Sequence, residues 1–158
     1  MKKFYTCKYD RAFKEIMLKK DNIELLKYYL EYILNVEIKQ IKINNVELIN
    51  GNLNTRGKRL DLYLETNAGK INVEMNAGNK NYVHPRNLAY ICNIYQNHTL
   101  IGKEYDQNTK IIQINFSYGL NKKKAIYKYE IKNEEDERFA YNFEIYEINM
   151  GIFYENLV

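Results

Sequence analysis

The sequence predicts one mixed α/β domain, and three observations carry that reading. Apolar residues recur at helical spacing near the start of the chain and again around residues 84–100. Strand-like alternation with a tight turn fills residues 37–76. Further strand-like stretches occupy residues 110–150. The order is helices, three strands, a helix, then strands, which suits a sheet covered by helices. At 158 residues the chain is long enough for a single domain, 1–158, with one sizeable core.

The elements follow in order. Phe13, Ile16 and Met17 share one face of a short helix from Tyr9 to Lys20. Asp21-Asn22-Ile23-Glu24 is a capping-box pattern, an acceptor side chain with Glu three residues on. It opens a helix with an apolar stripe of Leu25, Leu26, Tyr29, Leu30, Ile33 and Leu34, ending around Asn35. Alternation from Glu37 to Ile49 predicts a strand with a bend or bulge at Asn44-Asn45, and Asn50-Gly51-Asn52 is a turn signal. Arg59–Glu65 and Lys70–Asn76 read as two strands joined in a hairpin through Thr66-Asn67-Ala68-Gly69. A loop over 77–82 leads to a helix opened by His84-Pro85-Arg86, where proline suits the first turn. That helix is expected to reach about Leu100 and to bury Leu88, Ile91, Cys92 and Tyr95. Strands are expected at 110–118, 125–131 and 139–150, with the acidic stretch 133–137 as a solvated loop.

Composition narrows the function classes. Apolar residues make up 46% of the chain, too many for a disordered protein. No apolar run approaches the roughly 18 residues of a membrane span, and no apolar stretch follows the charged start, so a cytoplasmic protein without a signal peptide is expected. The two cysteines, Cys7 and Cys92, have no metal-type spacing and read as reduced thiols. A net charge of +4 permits weak attraction to polyanions. The 16 tyrosines accompany many Asn, Lys and Ile residues, so AT-rich codon usage explains them better than stacking on nucleic acid.

The hairpin carries the chemistry. If Thr66 pairs with Gly69 across a two-residue turn, Asp61 lies opposite Glu74; shifted by one residue on each strand, Asp61 faces Asn76 and Tyr63 faces Glu74. Both registers put Asp61, Glu74 and Asn76 on one face and Leu60, Leu62, Leu64, Ile71, Val73 and Met75 on the other. Opposed residues on antiparallel strands have Cβ atoms roughly 4.5–5.5 Å apart, so two carboxylates there repel unless a cation sits between them. Magnesium suits one or two carboxylates plus waters and a phosphate, and it can activate water against a phosphodiester. The plainer alternative is a wet face on which Lys58, Arg59 and Lys70 screen the acids.

The stretch Arg59-Leu60-Asp61, a turn, then Val73-Glu74-Met75-Asn76 resembles the D…ExK core of the PD-(D/E)XK nuclease superfamily. Within it, the chain resembles the recombination-promoting nucleases, also described as PD-(D/E)XK nuclease family transposases. Asp10-Arg11-Ala12-Phe13-Lys14 is similar to that family's D-x-x-F-K, and Arg86 and Tyr90 open the next helix, with Gly102 and Tyr105 after it. The resemblance implies a restriction-endonuclease-like α-β-β-β-α-β core with a mixed central sheet, here followed by extra strands. It implies a magnesium-dependent DNA endonuclease, with manganese as a substitute ion, in a setting of mobile elements, recombination or phage–host conflict. Asp61 and Glu74 would ligate the metal, Asp10 would add a further acid, and Asn76 would stand where the superfamily has lysine. Arg86, Tyr90 and Lys14 would lie along the nucleic acid.

Asn76 departs from the lysine of the superfamily and the glutamine common in the subfamily: it can hold a water but supplies no charge. That departure motivates a second reading, a degenerate member that binds nucleic acid or protein without cutting. A third is an assembly subunit, such as a homodimer, that pairs through an exposed strand near 139–150. Each residue also has a plainer role. Asp10 can be a helix N-cap, Asn76 a strand end, Arg86 a surface charge and Tyr90 packing. His84 is a lone histidine, and Lys122-Lys123-Lys124 reads as a solvated turn that could touch phosphates.

Overall fold

A computed structural model describes residues 22–44, 47–48, 58–59, 62–76, 83–98 and 108–153. The helix expected at 9–20, the turn at 50–52, the loop at 77–82 and residues Asp10, Lys14, Asp61, Gly102 and Tyr105 lie outside the described residues.

Helix α1, Ile23–Leu34, ends where the stripe predicts. Its C-cap Asn35 takes the left-handed conformation, φ 53°, and its N–H donates to Glu31 O. The N-cap is Asn22, whose side chain makes no capping bond, and Asp21 of the expected capping box lies outside the described residues. Leu26, Leu30 and Ile33 are buried, whereas Leu25 is 40% exposed, so the buried stripe is narrower than the apolar pattern suggested.

Strand β1 (Ile41–Asn44) and β2 (Glu47–Leu48) flank the predicted bend. The segment expected as one strand over 59–65 is divided into β3 (Lys58–Arg59) and β4 (Leu62–Thr66). β1 pairs with β4 in the main sheet, while β2 and β3 form a separate two-stranded sheet. The pairs Asn44↔Tyr63 and Glu47↔Arg59 are separated by two residues on one side and three on the other. The register therefore slips by one residue between the two ladders, with the extra residue on the Arg59–Tyr63 side.

β4 and β5 (Gly69–Asn76) form the hairpin, with Thr66 opposite Gly69 and Leu62 opposite Val73. That is the first of the two registers considered. The turn has local causes. Thr66 Oγ1 donates to Gly69 O and accepts from Ala68 N, and Asn67 bonds Glu37 O and Lys39 N on the segment before β1. Gly69 sits at φ +136°, and a Cβ there would lie 2.4 Å from Lys110 O, so the position admits only glycine without rearrangement.

Helix α2 (Val83–His98) follows, then β6 (Ile111–Ser117), β7 (Ile126–Tyr129), β8 (Phe143–Asn149) and the short α3 (Met150–Phe153). The main sheet has six strands in the order β1-β4-β5-β6-β8-β7; β5–β6 and β6–β8 are parallel and the other pairs antiparallel. This is the expected mixed sheet with extra C-terminal strands. β8 lies inside the sheet, so the exposed pairing strand expected near 139–150 is occupied on both sides by β6 and β7. The edges are β1 and β7.

One sheet face is apolar. Leu62, Leu64, Ile71, Val73, Ile112, Ile114, Phe116 and Ile148 form one core with the α1 stripe and Phe153. Against the other face α2 buries Ile91 and Ile94 beside Ile111, with Phe143, Ile145, Tyr63 and Tyr95 around them. Leu88 and Cys92, expected to be buried, are exposed. The helix presents 87, 91 and 94, at i, i+4 and i+7, to the sheet, and Leu88 and Cys92 fall one residue round the turn.

Candidate active site

Strand pleating gives β5 two characters. Ile71, Val73 and Met75 enter the apolar core; Asn72, Glu74 and Asn76 face the α2 side. The parallel register sets Gln113, Asn115 and Ser117 of β6 beside Asn72, Glu74 and Asn76. β8 then sets Glu147 beside Asn115 and Asn149 beside Ser117. All eight side chains are buried. Burial of polar groups at this density is tolerable only when they bond one another.

Seven of them do so in two chains: the first runs from Arg86 and from Asn72 to a shared acceptor, Asn115 Oδ1, and the second runs from Arg86 to Glu147, while Asn149 donates to Lys122 O. In the first, Arg86 Nε donates to Asn87 Oδ1 at 3.2 Å, and Asn87 Nδ2 donates to Asn115 Oδ1 at 2.9 Å. Gln113 Nε2 donates to the same Asn115 oxygen at 2.7 Å. Asn72 Nδ2 donates to Gln113 Oε1 at 2.8 Å and to Glu74 Oε1 at 3.3 Å. In the second, Arg86 Nη2 donates to Asn76 Oδ1 at 2.6 Å, Asn76 Nδ2 to Ser117 Oγ at 3.1 Å, and Ser117 Oγ to Glu147 Oε1 at 2.7 Å. His84 Nε2 lies 3.0 Å from the other Glu147 oxygen. A guanidinium only donates and a carboxylate only accepts, so the amides between them have one orientation that satisfies every bond.

Arg86 gathers the site. Its guanidinium is 3.8 Å from Glu74 Oε2 and 5.7 Å from the centroid of the Tyr90 ring, one helical turn on. Glu74, Asn76, Arg86 and Tyr90, four residues singled out from the sequence, thus converge. Asp61, Asp10 and Lys14 lie outside the described residues. Among the described residues no group of three or more His, Cys, Asp or Glu side chains is close enough to hold a metal. The donor chemistry at Glu74 nevertheless fits a hard cation. The acid is a carboxylate, and the amide that touches it, Asn72, has a buried Oδ1 without a hydrogen-bond partner. Oxygen donors of this kind suit magnesium better than zinc.

Flanking this face, burial and then the nearby Glu65 carboxylate push the Tyr63 phenol up to about 12, so it stays protonated at neutral pH. A cavity of about 430 Å³ opens beside the network, with His84, Asn87, Gln113, Asn115 and Glu147 in its wall. Another, at the hairpin end, is lined by Lys42, Lys70 and Lys110 and lies away from Glu74. Lys122 lies over the rings of Tyr127 and Tyr129, and Tyr127 Oη accepts from the backbone N–H groups of Lys123 and Lys124, so the lysine run is a pinned turn.

Sequence reasoning missed Asn72, Asn87, Gln113, Asn115, Ser117 and Glu147. A signal was present. Ile112-Gln113-Ile114-Asn115-Phe116-Ser117 alternates strictly, yet a parallel strand covered on both faces normally reads as an unbroken apolar run. Polar residues at every second position of such a strand mark a buried polar face.

A mixed sheet with helices on both faces and an acid on a central strand defines the restriction-endonuclease-like class of α/β proteins. The family model for PD-(D/E)XK nuclease family transposases matches residues 7–156, and the chain belongs to that family. Membership points to a nuclease linked to mobile elements. No curated protein and no solved structure matches the chain. Among the described residues, no helix is long and apolar enough to cross a membrane.

Proposed function

We propose that this chain is a magnesium-dependent endodeoxyribonuclease, with water as nucleophile, that acts on DNA in the cytoplasm in the service of a mobile element. The observation that carries the reading is the placement of Glu74. Its carboxylate is buried on a central strand, within reach of Arg86, and its neighbour Val73 pairs with Leu62. Leu62 directly follows Asp61, the acid that the family resemblance pairs with Glu74.

Asp61 and Glu74 would hold the ion, and Asp10 would add a further acid. When bound, the ion supplies Lewis acidity at the phosphoryl oxygen and a more acidic water. The rest falls to side chains. Asn76 Oδ1 has a second lone pair beyond the one that Arg86 occupies, and it can accept a hydrogen from the attacking water. Arg86, Tyr90 and Lys14 would contact the DNA backbone around the scissile phosphate.

The test is nicking of supercoiled plasmid in magnesium or manganese. Cleavage by the unaltered protein that falls by on the order of 10²-fold or more in Asp61→Ala and in Glu74→Ala supports the proposal. DNA binding without cleavage in either metal overturns it in favour of a non-cutting module.

A further inference from the structure

We propose that Arg86, carried on helix α2, supplies the positive charge that residue 76 lacks, and that Asn76 is the strut that aims it; the proposal rests on the nuclease reading above. Phosphoryl transfer beside a carboxylate places new negative charge on the phosphate oxygens, which preorganised cations and donors offset. Asn76, two residues after Glu74 on the same strand face, is neutral. Its Oδ1 instead binds Arg86 Nη2 at 2.6 Å. The guanidinium therefore sits directly beyond the end of the residue 76 side chain, still within 3.8 Å of Glu74.

Three contacts fix it there: Asn76 on one nitrogen, Asn87 on Nε, and the Tyr90 ring 5.7 Å away. Asn76 is held in turn by Ser117. A guanidinium has five N–H donors, of which those two amides take one each. The Arg86 side chain is anchored by those amides and is still 35% exposed. That is the arrangement of a group aimed at a ligand. A merely structural counterion for Glu74 would not need the two amide anchors, and it would not need to stay open to solvent.

Relocating the charge tests the idea. Plasmid nicking is measured under steady-state conditions for the full chain, Arg86→Gln, Arg86→Lys and the double variant Arg86→Gln/Asn76→Lys. Manganese affinity is measured by titration calorimetry and folding by thermal melting. Arg86→Gln is expected to lose on the order of 10²-fold in kcat, with KM and manganese affinity within about threefold. A lysine at 76 extends from the strand into the space the guanidinium leaves, so the double variant is expected to recover at least about tenfold of the lost kcat. Arg86→Lys keeps a charge, and it is expected to retain more activity than Arg86→Gln. Should Arg86→Gln fail to fold, the comparison of Arg86→Lys with the unaltered protein still decides, because a charge-bearing variant that melts normally yet is inactive overturns the proposal.

Three further results overturn the charge assignment and leave the nuclease reading standing. In the first, the unaltered protein cleaves and Arg86→Gln cleaves equally well. In the second, the loss lies wholly in KM. In the third, the folded double variant shows no recovery. An unaltered protein that cleaves in neither metal removes both readings together.

Discussion

The buried amide chain predicts an unusual order of tolerance at residue 113. Gln113 is fully buried; its oxygen accepts from Asn72 at 2.8 Å and its nitrogen donates to Asn115 at 2.7 Å. Gln113→Leu removes both bonds. One N–H of Asn72 then loses its better acceptor, which costs about 1–3 kcal/mol, whereas Asn115 Oδ1 keeps its bond from Asn87. The leucine regains part of this by apolar burial, so a net loss near 1–2 kcal/mol is expected. Gln113→Glu is nearly isosteric, yet it should be worse at neutral pH. It turns a donor that faces Asn115 Oδ1 into an acceptor, and it buries a third carboxylate on the face that already holds Glu74 and Glu147. A carboxyl group buried without a cation is raised by up to 3–5 pKa units, at about 1.4 kcal/mol per unit. The sign follows from that. With the folded-state pKa raised, the penalty is present at pH 7 and shrinks as pH falls towards the ordinary carboxylate value, because the protonated acid can again donate to Asn115. Urea denaturation followed by circular dichroism at pH 7 and pH 5 measures both variants. If Gln113→Glu is as stable as the unaltered protein at pH 7, or if its deficit grows on acidification, the directed chain is wrong.

Two further predictions concern the scaffold. Gly69→Ala should cost about 2 kcal/mol or more in the same denaturation assay, since φ +136° and a 2.4 Å approach to Lys110 O strain any Cβ there; loss of less than about 0.5 kcal/mol would refute the close packing. On the apolar face of the sheet, burial raises the Glu144 carboxyl but its bonds to Lys128 and Tyr146 and the nearby Lys110 outweigh it, so the pKa is held below the ordinary 4.5. Glu144 therefore adds stability above that value, and the contribution is lost as pH falls through the folded-state pKa. The stability gap between the unaltered protein and Glu144→Gln should narrow as pH falls below about 4.5, and a gap independent of pH in acid unfolding would contradict the assignment.

The residues show why part of this protein is readable in one dimension. Element order, the hairpin and its face assignment follow from local rules: the 3.6 period over Leu26, Leu30 and Ile33, the alternation over Leu62–Thr66 and Gly69–Asn76, and a two-residue turn at Asn67-Ala68. Pleating makes Glu74 and Asn76 share a face in any register, so the shared face of two candidate site residues is legible from spacing, while their roles come from the family resemblance. The same local rules mistook the rotation of α2, because Leu88 and Cys92 are as apolar as Ile91 and Ile94, and only the docked helix shows which stripe meets the sheet. They also merged β3 with β4, since a one-residue register slip depends on the partner strand.

The family, the mixed α/β order and the carboxylate-bearing strand are written locally, because they rest on periodicity and on motifs contained within a few residues of one another. The company that Glu74 keeps is settled by the folded chain. Gln113, Asn115, Ser117 and Glu147 come to its neighbourhood through parallel pairing with strands about 40 to 70 residues on in the chain, and Arg86 reaches Asn76 from a helix packed on that face. Parallel pairing and helix docking are set by burial summed over the whole domain, and no local pattern encodes which distant side chains that burial brings together.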